Sequence, residues 1–209
     1  MKFWWLVVSL LLAIPAVGQS GSEASKQFTV GNERLTNYQP ANASDRLKWF
    51  AVSTAGPLSL LAAGPISAGF GTAINRPKQY GPHWEGFGKR YGMRLTGVST
   101  GNAIEASLGS LWGEDPRYFQ SPQRGFGTRV KYVIKTTFVA PRRDGTLHPA
   151  YARYIGNVGN NFLSNTWRVQ SENGAGTAAL RCLLGVVGRM SGNAFAEFWP
   201  DVRKRVWRK

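Results

Sequence analysis

Three things are scarce in this 209-residue chain: cysteine, histidine and negative charge. The only cysteine, Cys182, lies in the apolar stretch LRCLLGVV, so no internal disulfide can staple the fold, and a buried, inert thiol is expected. His83 and His148 are the only histidines. His83 and Glu85 in GPHWEGFG diverge on a helix, and no third ligand stands at a useful spacing, so no metal and no cofactor is expected. A GxSxG serine-nucleophile signature is missing. Gly86-Phe87-Gly88 followed by Gly92 misses the dinucleotide fingerprint by one position, and no strand precedes it.

Acidic residues number 11 against 26 lysines and arginines, a net charge of +15. So basic a chain favours anionic partners. The opening MKFWWLVVSLLLAIPAVGQS has a basic start at Lys2, an apolar run from Phe3 to Ile14, a breaker at Pro15 and small residues at Ala16 and Gly18. These mark residues 1–18 as a signal peptide, which directs the chain to the periplasm or cell envelope. Export leaves an anionic membrane surface or an anionic polysaccharide as the expected partner, and nucleic acid is not expected. Residues 19–43 form a polar, flexible leader, 44–203 a single helical domain and 204–209 a basic tail.

From Phe50 to Ile74 there is no charged residue, and Arg46, Lys48, Arg76 and Lys78 flank the run. Its length suits a bilayer, although glycines and prolines dilute its hydrophobicity. Pro57 and Pro65 start or kink helical pieces within it, and Ser44-Asp45 marks the start of the first helix. Leu95, Val98, Ile104, Leu108 and Leu111 recur at helical spacing, and Gly113 and Pro116 stop that helix. Phe126, Val130, Val133, Ile134, Thr137 and Phe138 follow the same rule, with Arg124, Lys131, Lys135 and Arg142 on another side of the same helix. APRRDGTLHP is a closing turn, one further helix covers 150–167, and a last one runs from Ala175 to Phe198 before Pro200. No strand signal competes. The pattern predicts an all-α, compact bundle of about five helices, with contacts rich in Gly, Ala and Ser.

TGNAI at 100–104 returns as SGNAF at 191–195, with GNNF at 159–162 as a looser relative. Asn102 precedes Glu105 by three residues and Asn193 precedes Glu197 by four, so each pair shares a helix face. One reading is a binding or catalytic site in which Glu105 and Glu197 act as paired carboxylates of a periplasmic hydrolase of an anionic cell-wall or polysaccharide substrate. The preferred reading is packing, in which Gly101 and Gly192 let helices approach while the amides and carboxylates find partners across the contact. GFG at 69–71, 86–88 and 125–127 marks helix entries or bends with a core phenylalanine. Tryptophans near inferred helix ends resemble an interfacial belt. Together these features favour an exported, non-enzymatic helical envelope protein that docks on or partly inserts into a membrane. Asn102, Asn193, Arg124, Lys131, Lys135 and Arg142 are its candidate binding residues.

Overall fold

The computed structural model describes Leu35 and residues Tyr38 to Val206. The expected signal peptide, most of the expected leader and the end of the basic tail lie outside the described residues.

The first helix, α1 (Ala43–Ala55), starts two residues earlier than a cap at Ser44 would allow. Its cap is Asn42: the side chain accepts the Asp45 N–H at 2.8 Å while the Asp45 carboxylate accepts the Asn42 N–H at 3.2 Å. Pro57 then enters a π-helical turn, Leu58–Ala63, which continues into α2 (Gly64–Ala73). Pro65 has no N–H to give the preceding turn. The Tyr91 hydroxyl donates to the Leu60 carbonyl at 3.0 Å in its place. A 3-10 turn (Lys78–Tyr80) leads into α3 (His83–Trp112), which ends on left-handed Gly113. The later helices are α4 (Phe126–Phe138), α5 (Tyr151–Leu163) and α6 (Ala175–Val206). Counting Ala43–Ala73 as one helical stretch, the described chain has five helices and is mostly helical, as predicted.

Two local expectations fail. APRRDGTLHP is more than a turn: β1 (Val139–Pro141) and β2 (Leu147–Pro149) pair antiparallel around it, with Ala140 opposite His148. Gly145 takes φ 81 there, and its carbonyl accepts the Leu35 N–H at 2.9 Å, so part of the presumed leader joins the hairpin. Nor does Pro200 end α6. A proline in a helix orphans the carbonyl four residues before it. Here that carbonyl, on Ala196, accepts from Gln120 Nε2 at 2.7 Å, and the helix runs on.

The chain divides into two compact units. Among the described residues, the hairpin unit comprises Leu35, 38–40, Arg117–Pro149 and 189–206, and the bundle unit comprises Ala41–Pro116 and Ala150–Gly188. In the hairpin unit the buried apolar side chains are Leu35, Phe119, Tyr132, Val133, Ala140 and Leu147. In the bundle unit they are Ala62, Ala68, Ala150, Ala152, Ala178 and Tyr80. Apart from Pro116, the rest of that interior is glycine or polar, including Thr54, Arg90, Glu105, Glu114, Asp115, Arg153, Asn161 and Ser164.

Candidate functional site

The two GNA segments build the same polar contact twice, once in each unit. In the bundle unit, Asn102 Nδ2 on α3 donates to the Thr54 hydroxyl on α1 at 3.1 Å. One turn on, buried Glu105 accepts from Arg153 Nε on α5 at 3.1 Å. In the hairpin unit, Asn193 Nδ2 on α6 donates to the Thr137 hydroxyl on α4 at 3.3 Å, and Glu197 accepts from Arg129 Nε on α4 at 2.6 Å. Glu105 and Glu197 thus belong to different units, and each carboxylate has its own arginine.

Their surroundings differ. Glu197 is fully buried, and its second oxygen accepts the Tyr118 hydroxyl at 2.8 Å and the Ser121 N–H at 2.9 Å. Arg129 also reaches the Glu197 carbonyl and the Asp201 carboxylate, and its guanidinium lies 4.6 Å from the Phe198 ring centroid. Burial, then the charge of Glu197 and the hydrogen bond to it, push the Tyr118 hydroxyl well above the ordinary tyrosine range. At Gly101 a Cβ would lie 3.4 Å from the Gly156 carbonyl, and one at Gly156 would come within 2.8 Å of the Gly101 carbonyl. Backbone meets backbone there, as the packing reading expected. Gly192 does not repeat this: a Cβ there meets nothing within 4 Å, so close approach is not why that glycine is present.

The basic face is also redistributed. Because α4 ends at Phe138, Arg124 precedes the helix and Arg142 follows β1, leaving Lys131 and Lys135 as the members on α4. All four are exposed, and Ile134 and Phe138 share the lysine face of α4 with their side chains in solvent. The phenylalanines of two GFG elements are not core anchors either, since Phe70 is 69% and Phe126 74% exposed.

Arg153, Arg129, Thr54 and Thr137 were missed from the sequence. A signal for the first existed. Arg153 is the only charge in YARYIGNVGNNF, and a lone charge on an otherwise uncharged helix must find an opposite partner if it turns inward.

On α5 the usual sidedness is reversed. Tyr151, Ile155, Val158 and Phe162 lie on its exposed face, while Ala152, Arg153, Gly156 and Asn161 are buried. Asn157 Nδ2 donates to the Cys182 carbonyl on α6 at 2.9 Å, and Asn161 Nδ2 returns to the Asn157 carbonyl at 2.8 Å. The first half of α6 follows suit. Arg181 reaches the carbonyls of Asn161 and Glu172, whereas Leu180, Leu183, Leu184 and Val187 are exposed. Cys182, expected to be buried, is half-buried.

Among the described residues, no group of three or more His, Cys, Asp or Glu side chains is arranged to hold a metal ion. The chain matches no protein-family model, no curated protein and no solved structure. Function therefore rests on the geometry just described.

Proposed function

We propose that this chain is an exported, non-enzymatic envelope protein whose bundle unit enters the apolar layer of a membrane while its basic surface rests on anionic head groups. The observation that carries the reading is the inverted sidedness of α5, whose arginine and asparagines turn inward and whose large apolar side chains turn outward. In water such a helix leaves its most hydrophobic face unburied, at about 25 cal/mol for each Å² of apolar surface that stays wet. In lipid the same arrangement is favourable, because polar groups then need partners inside the protein.

The rest of the bundle unit agrees. Its helices meet through small residues and cross-helix hydrogen bonds, the contacts on which helices in lipid rely. Ala43–Ala73 is long and apolar enough to cross a bilayer, and Leu61, Ile66, Phe70 and Ile74 are exposed along it. Between Tyr91 and Trp112 the only charges are Arg94 and Glu105: the first reaches toward Ser59, the second is bound to Arg153. Trp84, Trp112 and Trp167, each at or just beyond a helix end, have exposed rings, as an interfacial belt requires. Lys131 and Lys135, set beside Ile134 and Phe138, give α4 a face suited to a charged lipid surface.

The hydrolase reading gains no support. Arg153 and Arg129 each hold one of the two carboxylates, which belong to different units, and Tyr118 and Ser121 also donate to Glu197. The test is fractionation of cells producing the full chain, followed by a carbonate wash of the membranes. Retention in the washed pellet is the expected result. Complete release into the soluble fraction without carbonate would contradict the proposal.

A further inference from the structure

The corner that joins α2 to α3 is built around one buried arginine. Arg90 donates to the carbonyls of Arg76 at 2.8 Å, Pro77 at 2.9 Å and Gly81 at 2.8 Å, and to Asn75 Oδ1 and Thr72 Oγ1 at 3.3 Å. With the carbonyls drawn inward, the side chains of Arg76 and Lys78 remain outside, in solvent. The path is tightly specified: Asn75, Gly81 and His83 have φ of 46, 80 and 62, and a Cβ on Gly86 would lie 1.9 Å from the Gly81 carbonyl.

Trp84 follows at once, 83% exposed, its ring edge-on to Phe87 at 5.7 Å. Lys89 is matched by Glu85 at 2.6 Å, so the corner's uncompensated exposed charge is that of Arg76 and Lys78. On its other side the corner continues the charge-free run that ends in exposed Phe70 and Ile74.

We infer that this corner grips the head-group phosphates of an anionic phospholipid, with Arg76 and Lys78 on phosphate oxygens and Trp84 at the acyl boundary. The inference rests on the membrane reading above and names where that contact selects its lipid. Two cations alone would suit any phosphate. Two cations beside an outward tryptophan and an apolar helix end suit a phosphate that carries acyl chains.

The test is co-sedimentation of the full chain with vesicles of phosphatidylcholine, and of phosphatidylcholine mixed with phosphatidylglycerol, at fixed ionic strength. Wild type is expected to bind both and to prefer the anionic mixture. Arg76→Gln combined with Lys78→Gln should lower affinity for the anionic vesicles about 30-fold, since each charge near such a surface is worth about fivefold, and leave binding to phosphatidylcholine unchanged. The charge-keeping pair Arg76→Lys with Lys78→Arg should bind as wild type does, with circular dichroism confirming the fold of both variants. Trp84→Ala should weaken binding to both vesicle types. An undiminished anionic preference in the glutamine pair would overturn the corner's role and leave membrane insertion standing. Failure of wild type to bind either vesicle would overturn both.

Discussion

The hairpin unit buries several large apolar side chains, although Phe126, Ile134 and Phe138 stay exposed on it, whereas the bundle unit buries almost none. Leu35, Phe119, Tyr132, Val133 and Leu147 are inside the first, whereas Ile66, Phe70, Ile155, Phe162, Leu183 and Leu184 are outside the second. Yet both contain the same polar device, an asparagine on a threonine hydroxyl and a glutamate on an arginine one turn away. A buried ion pair is thus compatible with two different surroundings. In the hairpin unit it lies beside buried apolar side chains with Asp201 on its exposed side, and in the bundle unit it belongs to a polar interior wrapped in apolar side chains. Among the described residues, orphaned buried polar atoms follow the same division: Glu114 Oε1, Asn160 Oδ1 and Arg181 Nε all belong to the bundle unit.

The comparison breaks most visibly at the carboxylates. Glu197→Ala leaves Arg129 partly buried without its inner partner, which should cost about 3–5 kcal/mol in denaturant unfolding. Asp201→Ala, on the exposed side of the same arginine, should cost less than about 1 kcal/mol. Equal losses would mean that burial does not set the strength of this pair.

A smaller effect separates the glycines. Gly101→Leu and Gly156→Leu must force two backbones apart, at about 1–3 kcal/mol each. Gly192→Leu enters open space and should melt within about 0.5 kcal/mol of wild type. Thermal unfolding of the three side by side decides whether the repeated GNA has one packing role or two.

Alkaline titration sharpens the account of the hairpin unit. The Tyr118 hydroxyl is raised in the fold above the unfolded value near 10, so its contribution is complete below that value and is lost as pH climbs toward the folded one. Tyr118→Phe should therefore remove up to about 1.4 kcal/mol per pH unit from the fall in stability above about pH 10. An unchanged slope would place the titration elsewhere. A gain is expected at Gly192→Ala, up to about 1 kcal/mol from helix propensity, whereas Gly156→Ala should lose stability against the Gly101 carbonyl.

Helices were legible in the sequence because apolar spacing survives whether the apolar face turns inward or outward. The direction of that face was not legible, since periodicity is blind to which side meets the protein. The starting edge of α4 was legible from Phe126 onward, but its end was not: nothing in KTTFVAP says that Val139 leaves the helix to pair with Pro149. Pro200 misled because its orphaned carbonyl is rescued by Gln120, far away in sequence. Asn102, Glu105, Asn193 and Glu197 were legible through their repeat; of the partners on other helices, only Arg153 left a local signal, as the lone charge of its helix, while Thr54, Thr137 and Arg129 left none.

Spin labels on single cysteines in a Cys182→Ser background, with the chain bound to vesicles, test the central claim most directly. Labels at Ile155, Phe162 and Leu184 report the outward face of the bundle unit, and a label at Lys131 reports the hairpin unit. The first three should relax faster with oxygen, which concentrates in lipid, than with a water-soluble nickel chelate, and the fourth should show the reverse. Preferential collision of all four labels with the nickel chelate would contradict a bundle unit that faces lipid.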